Sequence, residues 1–136
     1  MLKRDSLTAQ MQQLSHTLAK VKRLIEERQD AQALSTLQEV LGEYFGTSIT
    51  DLLETPANVF IQRFKKEGLK PEELGLLADF LDVLGTLNGD SKERRTIWEK
   101  VVVIYDTLEQ EHKVVSFAHI ARRSAILAQL DGESQS

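Results

Sequence analysis

Glu109 and His112 stand three residues apart, the spacing by which di-iron carboxylate bundles set an acid and an imidazole on one helix face. His119 lies in the following segment and His16 in the first, so a cluster is geometrically conceivable. Glu109, His112 and His119 are the candidate ligands of a metal-binding helical protein. The di-iron pattern, however, uses its pair on two helices together with two further Glu, and here the pair occurs once. The competing reading is of solvated or capping histidines near a helix C-terminus. Nothing else in the chain has the spacing of a reaction centre. No Gly-rich phosphate loop follows a strand, and neither a Gly-x-Ser-x-Gly elbow nor a His-Glu-x-x-His run occurs. Glu26-Glu27 and Glu72-Glu73 are adjacent rather than facing, and the second pair sits where a helix N-terminus favours negative charge anyway. The expectation is a protein that is not an enzyme, with no catalytic residue and no cofactor.

Charge is distributed in blocks. Arg63, Lys65, Lys66 and Lys70 form one basic cluster, Lys92, Arg94 and Arg95 a second, and Arg122-Arg123 a third. On one face they would track a phosphate backbone. Lysines at a helix C-terminus also complement the helix dipole, which gives the first cluster a local explanation. The segment after Pro71 carries Glu72, Glu73, Asp79 and Asp82, which makes it a poor recognition helix for base edges. Seventeen Lys and Arg against 21 Asp and Glu, a net charge of −4, point the same way. Weak nucleic-acid binding is retained only as an alternative.

The elements that would position these residues are helices. Leu7, Met11, Leu14, Leu18, Val21 and Ile25 alternate at four and three, with Asp5 or Ser6 available as a cap. That stripe fits either a coiled-coil seam between subunits or a long helix within a bundle. Asp30 can cap a second helix burying Leu34, Leu37, Leu41, Tyr44 and Phe45 and closed by Gly46, which makes an antiparallel hairpin with the first. An extra turn is suggested around Asp51-Leu52-Leu53. Thr55-Pro56 then reads as cap and first residue of a helix burying Phe60 and Phe64 and ended by Gly68. Pro71 opens a helix with Leu74, Leu77, Leu81 and Leu84 on one face, stopped by Asn88-Gly89.

Val101 to Tyr105 has strand preference, but Ile97, Trp98, Val101, Ile104, Tyr105 and Leu108 make a wide helical face too long for a strand. This is the predicted central, most enclosed helix. Val114-Val115-Ser116-Phe117 is again briefly strand-like, yet Ser116 can cap a last helix burying Phe117, Ile120, Ala121, Ser124 and Leu127. The sum is an all-α chain of five to six helices, either tetratricopeptide-like hairpins or an irregular bundle. Residues 1–131 are expected as a single all-helical domain and 132–136 as a frayed polar tail. At 136 residues with 41% hydrophobic content, such a chain sustains its own core. The absence of cysteine suits a reducing cytosol, and neither a secretory signal nor an 18-residue apolar run is visible, so a cytoplasmic protein is expected.

Leu81, Leu84-Gly85, Ile97, Val101 and Ile104 resemble the tetratricopeptide pattern, in which a large residue and Leu-Gly on one helix face packing residues on the next. Asn88, Ile97 and Glu109 depart from it, standing where that pattern prefers Tyr, a small Ala and Pro. Arg4-Asp5, Gln10-Met11-Gln12-Gln13-Leu14 and Leu18-Ala19 are similar to segments of a family of small uncharacterised bacterial proteins with tetratricopeptide-like helices. That resemblance implies no activity; the fold analogy implies a surface for a peptide or partner protein. The resulting expectation is a protein–protein or self-association scaffold, including a homodimer, with no membrane role. Leu7, Met11 and Leu14 are the expected partner contacts, because they precede the stretch a second helix would cover.

Overall fold

The apolar spacings of three and four become helices throughout the computed structural model, which describes residues 2–114 and 116–135, with side chains over 7–114 and 116–132. Among the described residues every regular element is helical: α1 (Leu2–Glu26), α2 (Asp30–Glu43), α3 (Ile49–Glu54), α4 (Ala57–Lys66), α5 (Pro71–Leu87), α6 (Ser91–Glu111) and α7 (Phe117–Gln135). These are seven, against five to six expected, because the turn around Asp51 is a helix in its own right. No helix among them is long and apolar enough to cross a membrane. The chain divides into two compact units, Met1–Ile49 and Thr50–Ser136.

The first unit is the α1–α2 hairpin. Tyr44 Oη at the end of α2 donates to Gln10 Oε1 at 3.4 Å, so the two helices run antiparallel along most of α2. Leu14, Leu18, Val21 and Leu24 of α1 are buried, as are Ala33, Leu37 and Leu41 of α2 and Phe45 just beyond it. Three expected core positions give way: Leu24 is buried where Ile25 is only half so, Ala33 is buried while Leu34 stays 37% exposed, and Tyr44 is half-buried. The connection is tight because Arg28 adopts φ 63°, its N–H bonding to Ile25 O and that of Gln29 to Leu24 O. This closure makes Gln29 the residue before the helix and Asp30 its first residue rather than its cap. α1 already begins at Leu2, so Asp5 and Ser6 are not at its start, and their side chains lie outside the described residues.

In the second unit α3 is held by one carboxylate. Asp51 accepts from Thr55 Oγ1 at 3.1 Å and from Arg63 Nη1 at 2.7 Å, and beneath it Leu52 is fully buried. With the Thr55 hydroxyl turned to Asp51, the residue preceding α4 is Pro56, in extended conformation, one position later than the sequence suggests. Phe60, Ile61 and Phe64 are the buried face of α4, the two Phe rings meeting edge to face at 4.8 Å. Gly68, at φ 77°, ends it: the left-handed conformation lets Gly68 and Leu69 bond back to Lys65 O and Phe64 O. Pro71 opens α5, where Glu73 accepts from Lys70 N at 3.0 Å, and Asp90 caps α6 by accepting from Lys92 N and Glu93 N.

α6 is the hub, packed against α4, α5 and α7. Ile97, Trp98, Val101, Ile104, Tyr105 and Leu108 are all buried on it, so residues 101–105 are helical despite their strand preference. Each such side chain fully removed from water contributes about 1.5–3 kcal/mol. α5 delivers Leu74, Leu77, Leu81 and Leu84 against it. The two approach closely at Gly85, where any Cβ would overlap the Trp98 indole. α7 runs antiparallel to α6, since Arg123 reaches Asp106 while Arg95 Nη2 donates to Leu130 O at 2.7 Å. Ser116 caps α7, accepting from His119 N at 3.4 Å; Val115, in the strand-like stretch, lies outside the described residues. The helix continues past Asp131, through Gly132, to Gln135, where a polar tail was expected; Ser136 lies outside the described residues.

Candidate functional site

The densest set of polar side chains lies where α5, α6 and α7 meet. Asp82 of α5 receives Arg122 of α7 in a two-point bond, Nε and Nη2 each at 2.7 Å. Its backbone oxygen accepts from Trp98 Nε1 at 3.2 Å. The Arg122 guanidinium also lies over the Trp98 ring, 5.2 Å from its centroid, and Arg94 approaches the same ring at 5.8 Å. The next residue, Arg123, pairs with Asp106 of α6 through Nε at 2.7 Å. His119 stacks on Tyr105 at 4.5 Å between centroids, with Nε2 3.8 Å from Asp79 Oδ1.

These contacts bind α7 to its neighbours rather than form a reaction centre. The Asp82 carboxylate beside Arg122 holds the guanidinium above its ordinary value, and Asp106 does the same for Arg123, so both stay charged. Burial, with Asp79 and Asp82 nearby, raises the Tyr105 phenol well above its usual range and keeps it neutral, neither base nor nucleophile. The recess beside it, lined by Tyr105, Glu109, His119 and Arg123 among others, holds about 20 Å3, room for about one water. A larger open groove of about 570 Å3 runs along the first unit between His16 and Lys20 of α1 and Glu39 and Glu43 of α2, with Tyr44 just beyond.

The proposed metal ligands do not converge. Glu109 and His119 share the small recess, but His112 is exposed at the C-terminal end of α6, and no group of three or more His, Cys, Asp or Glu among the described residues is placed to hold a metal ion. The basic runs are largely engaged within the chain: Arg63 with Asp51, Lys65 with Glu111, Arg122 with Asp82 and Arg123 with Asp106. Of the expected partner contacts, Leu7 and Met11 are half-buried. Leu14, at 5% exposure, belongs to the core of its own hairpin instead of an open seam, since α2 extends along α1 as far as Gln10.

The last helix corrects the sequence reading most. Phe117, Ile120, Ala121 and Ser124, expected inside, are exposed, Phe117 at 90% and Ile120 at 44%, and Leu127 is only half-buried. The inward face carries His119, Arg122 and Arg123 with Ile126 and Leu130, because acids on α5 and α6 receive the cations. Turned outward instead is a stripe of Phe117, Ala121, Ser124, Ala125 and Ala128, with Ile120 at its side and no charged residue before Asp131. The stripe of small residues and the two arginines are visible in the sequence, but which side of the helix turns inward depends on acids 40 and 17 residues away. No family model matches the chain, and neither a curated protein nor a solved structure does.

Proposed function

We propose that the chain is a non-enzymatic helical interaction module whose working surface is the outward face of α7. The observation that carries this reading is the exposure of an uncharged face headed by Phe117 at 90% and Ile120 at 44%, with Val114 at 40% beside them. Contiguous apolar surface of this kind is costly to leave in water and marks contact with another protein. Half-buried Leu7 and Met11 on α1 offer a smaller second contact in the first unit. The α5–α6 hairpin, which buries Leu81, Leu84 and Gly85 on one helix and Ile97, Trp98 and Val101 on the next, is compatible with a tetratricopeptide-like relationship; a scaffold in a bacterial cytoplasm is part of the same proposal.

For the metal and nucleic-acid alternatives, no group of three or more ligands meets among the described residues, and five side chains of the basic runs already face carboxylates. The test is site-specific photo-crosslinking in the cell of origin, with a benzophenone amino acid in place of Ala121 or, as control, of exposed Glu72 on α5. A protein adduct from position 121 and none from 72 is expected. No adduct from 121 overturns the reading.

A further inference from the structure

We infer that the occupant of the α7 face is a second copy of this chain, its α7 lying antiparallel to the first about a two-fold axis near Ser124; this rests on α7 being the interaction surface. The inward side of α7 is fixed by Arg122 on Asp82 and Arg123 on Asp106, so the helix cannot roll to hide Phe117 without breaking both pairs. Any cover for this face would therefore have to come from outside the unit.

Size and charge along the helix select the partner and its direction. The bulky residues, Phe117 and Ile120, are at the N-terminal end, and the small ones, Ala121, Ser124, Ala125, Ala128 and Gly132, follow. Antiparallel pairing sets Phe117 of each copy over Ala128 and Gly132 of the other, large against small. Parallel pairing sets Phe117 on Phe117 and holds the alanines apart. The charges agree. Exposed Lys113 precedes α7 and exposed Asp131 stands at its far end. In the antiparallel arrangement each Asp131 meets the positive N-terminal turn of the other α7 and the Lys113 next to it. A parallel pair would align like with like. Between the two ends no outward charge opposes the contact.

The stretch from Phe117 to Asp131 is about 21 Å long at the α-helical rise and about 10 Å across, a footprint on the order of 200 Å2, well short of the roughly 800 Å2 per partner of a stable interface. A contact of that size dissociates on dilution, so the dimer is expected at high protein concentration and the monomer at low. Light scattering of the purified full chain across a dilution series reads this directly. The mass should rise from 15.4 kDa toward twice that value with concentration. Ser124→Glu places two like charges at the axis and should hold the chain at the monomer mass, with its circular-dichroism melt unchanged.

Because the chain has no cysteine, single cysteines report direction. Ser124→Cys should form a disulfide dimer on oxidation, far above an exposed Lys22→Cys control. Phe117→Cys should link to Asp131→Cys in a mixture and not to itself. Efficient self-linking of Phe117→Cys overturns the antiparallel arrangement. A monomer mass at every concentration, with Ser124→Cys linking no better than the control, overturns the second copy. If the Ala121 photo-adduct then has a mass other than twice the chain, the interaction reading stands with another partner; if there is no adduct, both fall.

Discussion

Arg28 holds a left-handed backbone, φ 63°, at the turn between α1 and α2, a conformation costing a side-chain-bearing residue roughly 1–2 kcal/mol. Arg28→Gly relieves it and loses some of the gain to the more flexible unfolded chain, so a stabilisation of about 0.5–1 kcal/mol is expected by urea denaturation. Lys100 is the opposite kind of cost. It is 2% exposed, with Nζ 5.8 Å from the Phe60 ring centroid, and burial lowers its pKa below the ordinary 10.5. Between the depressed value and 10.5 the unfolded chain binds the extra proton, so this group makes stability rise with pH across that window.

Tyr105 acts in the reverse sense. Its pKa is raised above 10.0, so above that pH the folded state keeps a proton the unfolded state has lost, and stability falls. Lys100→Met should stabilise by about 1 kcal/mol at neutral pH, with the advantage shrinking as pH climbs through the lysine's window. Tyr105→Phe should remove the loss above pH 10.0. Thermal melts at a series of pH values check both; an unchanged pH profile in either variant contradicts its assignment.

At the scale of elements, two glycines of α5 should respond oppositely to the same substitution. Gly85→Ala drives a Cβ into Trp98 and should destabilise by about 1–3 kcal/mol. Gly75→Ala meets only the far edge of His119 at 3.8 Å and should be neutral or stabilising by up to about 1 kcal/mol, the gain in helix propensity. Denaturant midpoints measure the difference. The faces of α4, α5 and α6 were legible because their partners are apolar: Phe60 and Phe64, Leu74 to Leu84 and Ile97 to Leu108 each follow the helical period into a shared core. Gly68, Pro71 and Asn88 were legible as punctuation for reasons of backbone geometry alone.

The face of α7 was not. Its orientation is decided by Arg122 and Arg123 finding acids 40 and 17 residues away, and no local pattern carries that information. Hydrophobicity favoured Phe117 inward; two charge-assisted pairs outweighed it. Asp82→Ala should therefore loosen α7, costing about 1–2 kcal/mol and raising hydrogen exchange along residues 117–130. Unchanged protection there would show that Ile126 and Leu130 suffice to hold the helix.

For the whole molecule, the same logic applies to the histidines. A spacing of three residues puts Glu109 and His112 on one side of α6, but the end of that helix leaves His112 exposed, and His119 is engaged by the Tyr105 ring. Sequence spacing ranks candidates within an element, whereas a site needs several elements to converge. What converges here is α5, α6 and α7, by pairing that locks a surface in place. The single tryptophan stands at that junction, under Arg122 and bonded to Asp82, while the first unit has Tyr44 and no tryptophan. Its emission is thus a built-in optical gauge of the second unit alone. Compared with far-ultraviolet ellipticity, which sums every helix, it distinguishes one cooperative unfolding step from two without any label being attached.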